Sequence, residues 1–249
     1  VAVEAAVALH QAEGLRVLCY HAAMHFHVIT LFPEVCRVYT DASVLGRAQK
    51  TEKGKGAKQR GKKIAISYYN PREFSRDKHK KTDDRPYGGG PGMVMHAEPI
   101  LRAYEKAVGR KKNQKKVKVL IMSPRGTLFT NAHAKKLAEK YDDLVLISGR
   151  YEGIDSRVKK ILKAEEVSVG EYVLTGGELP ALSIIDAVAR KVPGVLGTFE
   201  SLEEERVSSG EMYTRPEVLE YKKKKHKVPP VFLSGNHAAI EEYRKQNGV

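Results

Sequence analysis

The chain has only two cysteines, Cys19 and Cys36, too few for a disulfide framework. Neither belongs to a Cys/His cluster with zinc spacing. His25 and His27 merely alternate along an apparent strand, so no metal ligand is assigned. This cysteine usage fits a reducing, cytoplasmic setting. No segment has the length of a transmembrane helix. Val1–Ala23 is rich in alanine and valine, but no basic stretch precedes it and Glu4 and Glu13 interrupt it, so it does not read as a signal peptide. Met24 stands directly before the first good strand, and 1–23 is expected to be a non-native or disordered extension. Acidic residues are in deficit: 44 Lys and Arg face 30 Asp and Glu, a formal charge of +14. The excess is clustered in Arg47–Lys63, Arg110–Lys118 and Lys222–Lys227. Clustered positive charge is the electrostatic footprint of a polyanion binder, against the plainer reading of a solvated lysine-rich surface.

What is present is a strand–helix alternation. Strands are expected at His25–Leu31, Lys63–Tyr69, Val117–Met122, Leu144–Ser148 and Glu166–Val169. Helices are expected at Pro33–Arg47, Ala97–Val108, Asn131–Tyr141, Ile154–Leu162 and Pro180–Lys191. The pattern predicts an α/β fold, a mostly parallel sheet with helices on both faces. The sheet-bearing unit is placed at 24–191, a linker at 192–212 carrying SLEEER, and a small helical domain at 213–249. Thr51–Gly61 is low in apolar residues and reads as a flexible surface insertion.

Two glycine-bearing segments follow predicted strands: GRYEGIDSRV (Gly149–Val158) and VGEYVLTGGELP (Val169–Pro180). Glycines past strand ends let a ligand touch bare backbone. Neither segment carries G-x-G-x-x-G or G-K-[ST], which sets aside the common dinucleotide and phosphate loops. SPRGTLF (Ser123–Phe129) reads as a third loop or as a plain strand-to-helix turn. DDRPYGGGPGMVM (Asp83–Met95) reads as a glycine loop with amides able to face a ligand.

With HVITLFPE (His27–Glu34), DAVARKVPGVLG (Asp186–Gly197), YTRPEVLE (Tyr213–Glu220) and VPPVFLSGNH (Val228–His237), these motifs resemble, in order, the bacterial tRNA (guanine-N1)-methyltransferases of the knotted SPOUT class. The resemblance runs from about Met24 to Arg244. It implies a homodimer with a deep trefoil knot, S-adenosylmethionine as methyl donor, and guanine N1 at position 37 of tRNA, beside the anticodon, as acceptor. The resemblance would place Ser123, Pro124, Gly126, Gly149, Tyr151, Val169, Gly170, Tyr172, Leu174, Gly176, Gly177 and Pro180 around the donor. Glu152 would lie near the sulfonium or a magnesium ion, or orient Arg150 or its turn. Tyr87, Gly89 and Pro91 would approach the flipped guanine, and Tyr213 and Arg215 the anticodon stem-loop. Arg190 corresponds to the family's catalytic arginine, with a helix C-terminal cation as its plainer role. The family's catalytic aspartate has no direct counterpart. Counting from Pro193 places Glu205 there, with Glu204 one register away, in a segment shorter than the family's. Two other readings stay open: an RNA-binding SPOUT protein without catalysis, and a SPOUT methyltransferase acting on ribosomal RNA.

Overall fold

The computed structural model describes residues 23–53, 59–109, 116–196 and 212–247. In chain order the strands are β1 (Met24–Ile29), β2 (Glu52–Lys53), β3 (Gln59–Arg60), β4 (Ile64–Tyr69), β5 (Asp83–Asp84), β6 (Val94–Met95), β7 (Val117–Leu128), β8 (Asp143–Ile147), β9 (Glu165–Ser168), β10 (Val218–Tyr221) and β11 (Lys224–Lys227). The helices are α1 (Pro33–Thr40), α2 (Ser43–Ala48), α3 (Ala97–Val108), α4 (Asn131–Lys140), α5 (Ser156–Leu162), α6 (Glu178–Ala189), α7 (Pro230–Leu233) and α8 (His237–Asn247). The chain divides into two compact units after Val195.

The first unit is built on a five-stranded parallel sheet ordered β4-β1-β8-β7-β9. Parallel strands need crossover connections, and here helices supply them on both faces. Alternation along each strand sorts the side chains. Phe26, Val28, Leu120, Met122, Leu144 and Leu146 face one cluster, closed by α1, α2, α4 and α6. Ile29, Val119, Ile121, Val145 and Ile147 face the other, closed by α3 and α5. Every residue of β8 is buried, as a central strand covered on both sides requires. Cys36 lies in the first cluster, where burial above all pushes its thiol up to about 11.

Three local departures from the expected elements have identifiable causes. The helix expected over Pro33–Arg47 breaks at Asp41-Ala42. Ser43 takes a positive φ of 48°, and Gly46 packs on the Asp41 backbone so closely that a Cβ would sit 2.2 Å from the Asp41 carbonyl oxygen. β7 runs on to Leu128, where a loop was expected after Met122. Its pairing with β9 jumps from Met122↔Val167 to Thr127↔Val167, so Ser123–Gly126 bulges out of the strand. The ends of the insertion at Thr51–Gly61 pair as β2 and β3, and 54–58 lie outside the described residues.

The second unit contains the expected short helices, α7 and α8, and adds a hairpin that the sequence pattern did not signal. β10 and β11 pair antiparallel through Tyr221↔Lys224. The two turn residues, Lys222 and Lys223, both take positive φ, 49° and 62°. That is the hairpin turn matched to strand twist, normally marked by Asn-Gly. Tyr213, Phe232 and Tyr243 stack as its aromatic centre, with centroids 5.5 and 5.3 Å apart. Among the described residues no helix is long and apolar enough to cross a membrane.

Candidate active site

The carboxyl ends of β7, β8 and β9 open onto one cavity of about 320 Å³. Its walls come from three stretches: the β7 bulge, the loop after β8 and the loop between β9 and α6. Of the residues expected around a donor, Ser123, Pro124, Gly149, Tyr151, Glu152, Val169, Gly170, Tyr172, Leu174, Gly176, Gly177 and Pro180 all line it. Gly126 does not. A Cβ there would lie 2.4 Å from the Val167 nitrogen, so Gly126 lets the bulge press on β9 and thereby shapes the wall from behind.

The two long loops are bonded to each other. Gly177 donates its N–H to the Gly149 carbonyl at 2.9 Å, and Arg150 bridges antiparallel to Gly176. A Cβ on Gly177 would meet the Ser148 Cα at 2.6 Å and the Gly149 nitrogen at 2.9 Å. Behind them lies an ionic brace. Arg150 Nη2 is 3.0 Å from Glu178 Oε2, and its Nη1 donates to the Thr175 carbonyl. The guanidinium carbon stands 4.5 Å from the Phe32 ring centroid. Glu178 is 2% exposed and also accepts from the Thr30 hydroxyl at 2.8 Å. The brace thus ties β1's exit, the β8 loop and the start of α6 into one frame. The motifs give Arg150 a role only as a residue that Glu152 would orient, and they give Glu178 none. Glu178's place directly after Gly176-Gly177, two residues before the helix expected from Pro180, was the available signal. Glu178→Ala strands Arg150 and should lower unfolding free energy by about 3 kcal/mol in urea titration, near the low end for breaking a buried pair.

Asp155 caps α5, accepting from the Arg157 amide at 2.9 Å. The Arg157 side chain, hydrogen-bonded to it, holds its carboxyl below the usual carboxylate range. Arg125, Lys159, Lys160 and Lys163 border a second concavity that shares Arg125, Ser156, Lys159 and Glu166 with the cavity wall, so the rim is basic.

The glycine loop of Asp83–Met95 hangs from this wall. Glu152 donates its N–H to the Met93 carbonyl and Met95 donates to Gly153, at 3.0 Å each. Gly92, at a φ of +83°, packs on the Glu152 side chain. Tyr87 is fully exposed, and Tyr87, Gly89 and Pro91 are not among the residues that line the cavity.

Other expected residues are not gathered into the cavity. Arg190 caps the far end of α6, donating its N–H to the Asp186 carbonyl. The helix begins at the cavity and has 12 residues, so its far end is roughly 18 Å away. Glu204 and Glu205 lie outside the described residues. Tyr213 and Arg215 belong to the second unit, where Tyr213 packs on Phe232 and Arg215 is exposed.

The family described as tRNA (Guanine-1)-methyltransferase TrmD matches residues 24–249. A tRNA (guanine-N(1)-)-methyltransferase of Pseudoalteromonas atlantica is 44% identical over 228 residues, 90% of this chain and 80% of that protein. Those of Clostridioides difficile and Ruminiclostridium cellulolyticum are 43% and 45% identical over 230 residues, each covering 91% of this chain and 93% and 91% of their own.

Proposed function

The chain belongs to the tRNA (guanine-1)-methyltransferase family, and on that footing we propose that it moves a methyl group from S-adenosylmethionine to N1 of guanine in tRNA, at position 37 beside the anticodon. The carrying observation is the family match over 24–249 together with a cavity framed by the same loops that carry the motifs. The residues present suit the donor. Main chain at Gly149, Gly176 and Gly177 lines the cavity and can offer an adenine backbone donors and acceptors. Arg150, which lines the cavity, has a buried Nε with no hydrogen-bond partner among the described residues, a demand a polar ligand can meet. When bound, the donor supplies an electrophilic methyl on a sulfonium.

The remaining chemistry falls to the protein. N1 of neutral guanine carries a proton, and a base must take it as nitrogen forms its bond to carbon. Glu205, or Glu204 one register away, is the proposed acceptor. Arg190 is proposed to neutralise the negative charge developing on the O6 side. Its distance from the cavity of its own chain is the reason to place it at the cavity of a second copy. The enzyme is therefore proposed to act as a homodimer whose sites are shared, with the trefoil knot of the family holding the loops. Glu152 would face the sulfonium, and a magnesium requirement would be read from activity in chelator. The domain from 213 to 249, with Tyr213, Arg215 and the lysine-tipped hairpin, is proposed to grip the anticodon stem-loop, and Tyr87, Gly89 and Pro91 to meet the flipped base.

Unmodified tRNA and labelled donor test this reading. The expected product is 1-methylguanosine beside the anticodon. Methyluridine or 2′-O-methylation, with ribosomal RNA as the better acceptor, would replace it with the ribosomal reading. Donor binding without turnover would leave an RNA-binding protein of the same fold. Within the main reading, Glu205→Gln should slow single-turnover transfer at least a hundredfold, the ordinary worth of a general base, while Glu204→Gln leaves it nearly intact. The reverse ranking would move the base to Glu204.

A further inference from the structure

At the opposite end of the sheet from the cavity, near the amino ends of β1 and β8, three side chains converge that the proposed reaction does not use. His27 is 1% exposed and Asp143 8%. His27 Nε2 lies 2.8 Å from Asp143 Oδ1, and His25 Nδ1 lies 3.9 Å from the same oxygen. The outer nitrogens are held as well. His25 Nε2 is 2.8 Å from the Ser67 hydroxyl, and His27 Nδ1 is 3.2 Å from the Tyr69 hydroxyl. Each imidazole is therefore anchored by a β4 hydroxyl on one nitrogen and turns the other toward a shared carboxylate. That is how metal-binding histidines are oriented, with the non-ligating N–H engaged by an outer partner that fixes the tautomer.

We propose that His25, His27 and Asp143 bind a zinc-class divalent cation, which bridges β1 to β8. One candidate ligand atom from each residue already falls within 4.8 Å of the others. Bonds of about 2.0–2.1 Å hold tetrahedral ligand atoms roughly 3.3 Å apart, so the 2.8 and 3.9 Å separations change by about half an ångström in opposite senses and the remaining separation, within 4.8 Å, closes by up to about 1.5 Å. Two imidazoles and one carboxylate are a zinc-type donor set, and they leave one position for water. The His25 side chain, 29% exposed, gives that position an approach from solvent. The role is structural, since the donor cavity is at the other end of the strands.

The full-length protein, stripped with chelator, is titrated with cobalt(II) and with zinc. The expected results are visible absorption bands of a tetrahedral cobalt site that zinc bleaches, one zinc per chain retained after desalting, and a raised thermal midpoint with zinc. His25→Ala, at the partly exposed position least able to disturb folding, should weaken zinc binding at least tenfold and remove the thermal shift. His27→Gln should do the same, and His133→Ala should change neither. Absence of the cobalt bands and of retained zinc in the wild type would overturn the site. So would wild-type affinity in His25→Ala with its circular dichroism unchanged, because the zinc would then be held elsewhere.

Discussion

Arg190→Ala will lower methyl transfer at least a hundredfold while leaving donor affinity unchanged. A cation facing an oxyanion that develops only in the transition state acts on rate rather than on ground-state binding. The arginine ends α6, roughly 18 Å from the loop where that helix begins, and it does not line the cavity of its own chain. This placement is the reason a shared site is proposed, and mixing tests it. If Arg190→Ala protein is allowed to exchange subunits with a variant whose donor pocket is blocked, half of the dimers are mixed. Each mixed dimer joins one intact pocket to one intact arginine, so about a quarter of all sites should recover. No recovery after verified exchange would place arginine and donor on the same chain. Unimpaired transfer by Arg190→Ala alone would remove the residue from the reaction.

Gly177→Ala supplies the blocked pocket, and calorimetry should show its donor affinity reduced at least a hundredfold, about 2.7 kcal/mol. The new methyl would lie 2.6 Å from the Ser148 Cα and 2.9 Å from the Gly149 nitrogen. Both are main-chain atoms and neither can swing aside. Separating them parts the two loops and breaks the Gly177-to-Gly149 hydrogen bond. Gly149→Ala is the contrast. Its nearest neighbours are Ile154 Cγ1 and Cδ1, at 3.3 and 3.4 Å, and a side chain can rotate, so the loss there should stay below tenfold. A Gly177→Ala variant that binds donor nearly as well as wild type would contradict the close-approach account.

The large elements were legible because their periodicity is local. β1, β4, β8, α3 and α6 fall within a few residues of where apolar alternation and the 3.6-residue period put them. The cavity walls were legible because glycine past a strand end lets main chain face an open space. What the sequence hid depends on partners far along the chain or on unusual backbone. Gly126 was expected to face the donor, but its neighbour is β9, about forty residues on, and only the bulge brings the two together. The hairpin went unseen because Lys222-Lys223 takes the positive φ values that asparagine and glycine usually advertise. His25 and His27 read as plain strand residues, since the carboxylate that completes their cluster is 116 positions beyond His27.

The strand order carries a consequence for how the molecule is made. β1 sits between β4 and β8, and β8 between β1 and β7, so the innermost pairing of the sheet joins segments more than a hundred residues apart. During synthesis, at about 5–20 residues per second, β1 can pair with β4 but must wait several seconds more before β8 exists. Over that interval the apolar faces of β1 are open, and the barrier to closing the sheet is dominated by loop entropy rather than by local helix formation. A nascent chain stalled between Tyr69 and Asp143 would therefore present an unfinished sheet, the kind of surface that holdase chaperones recognise and that aggregates when they are absent.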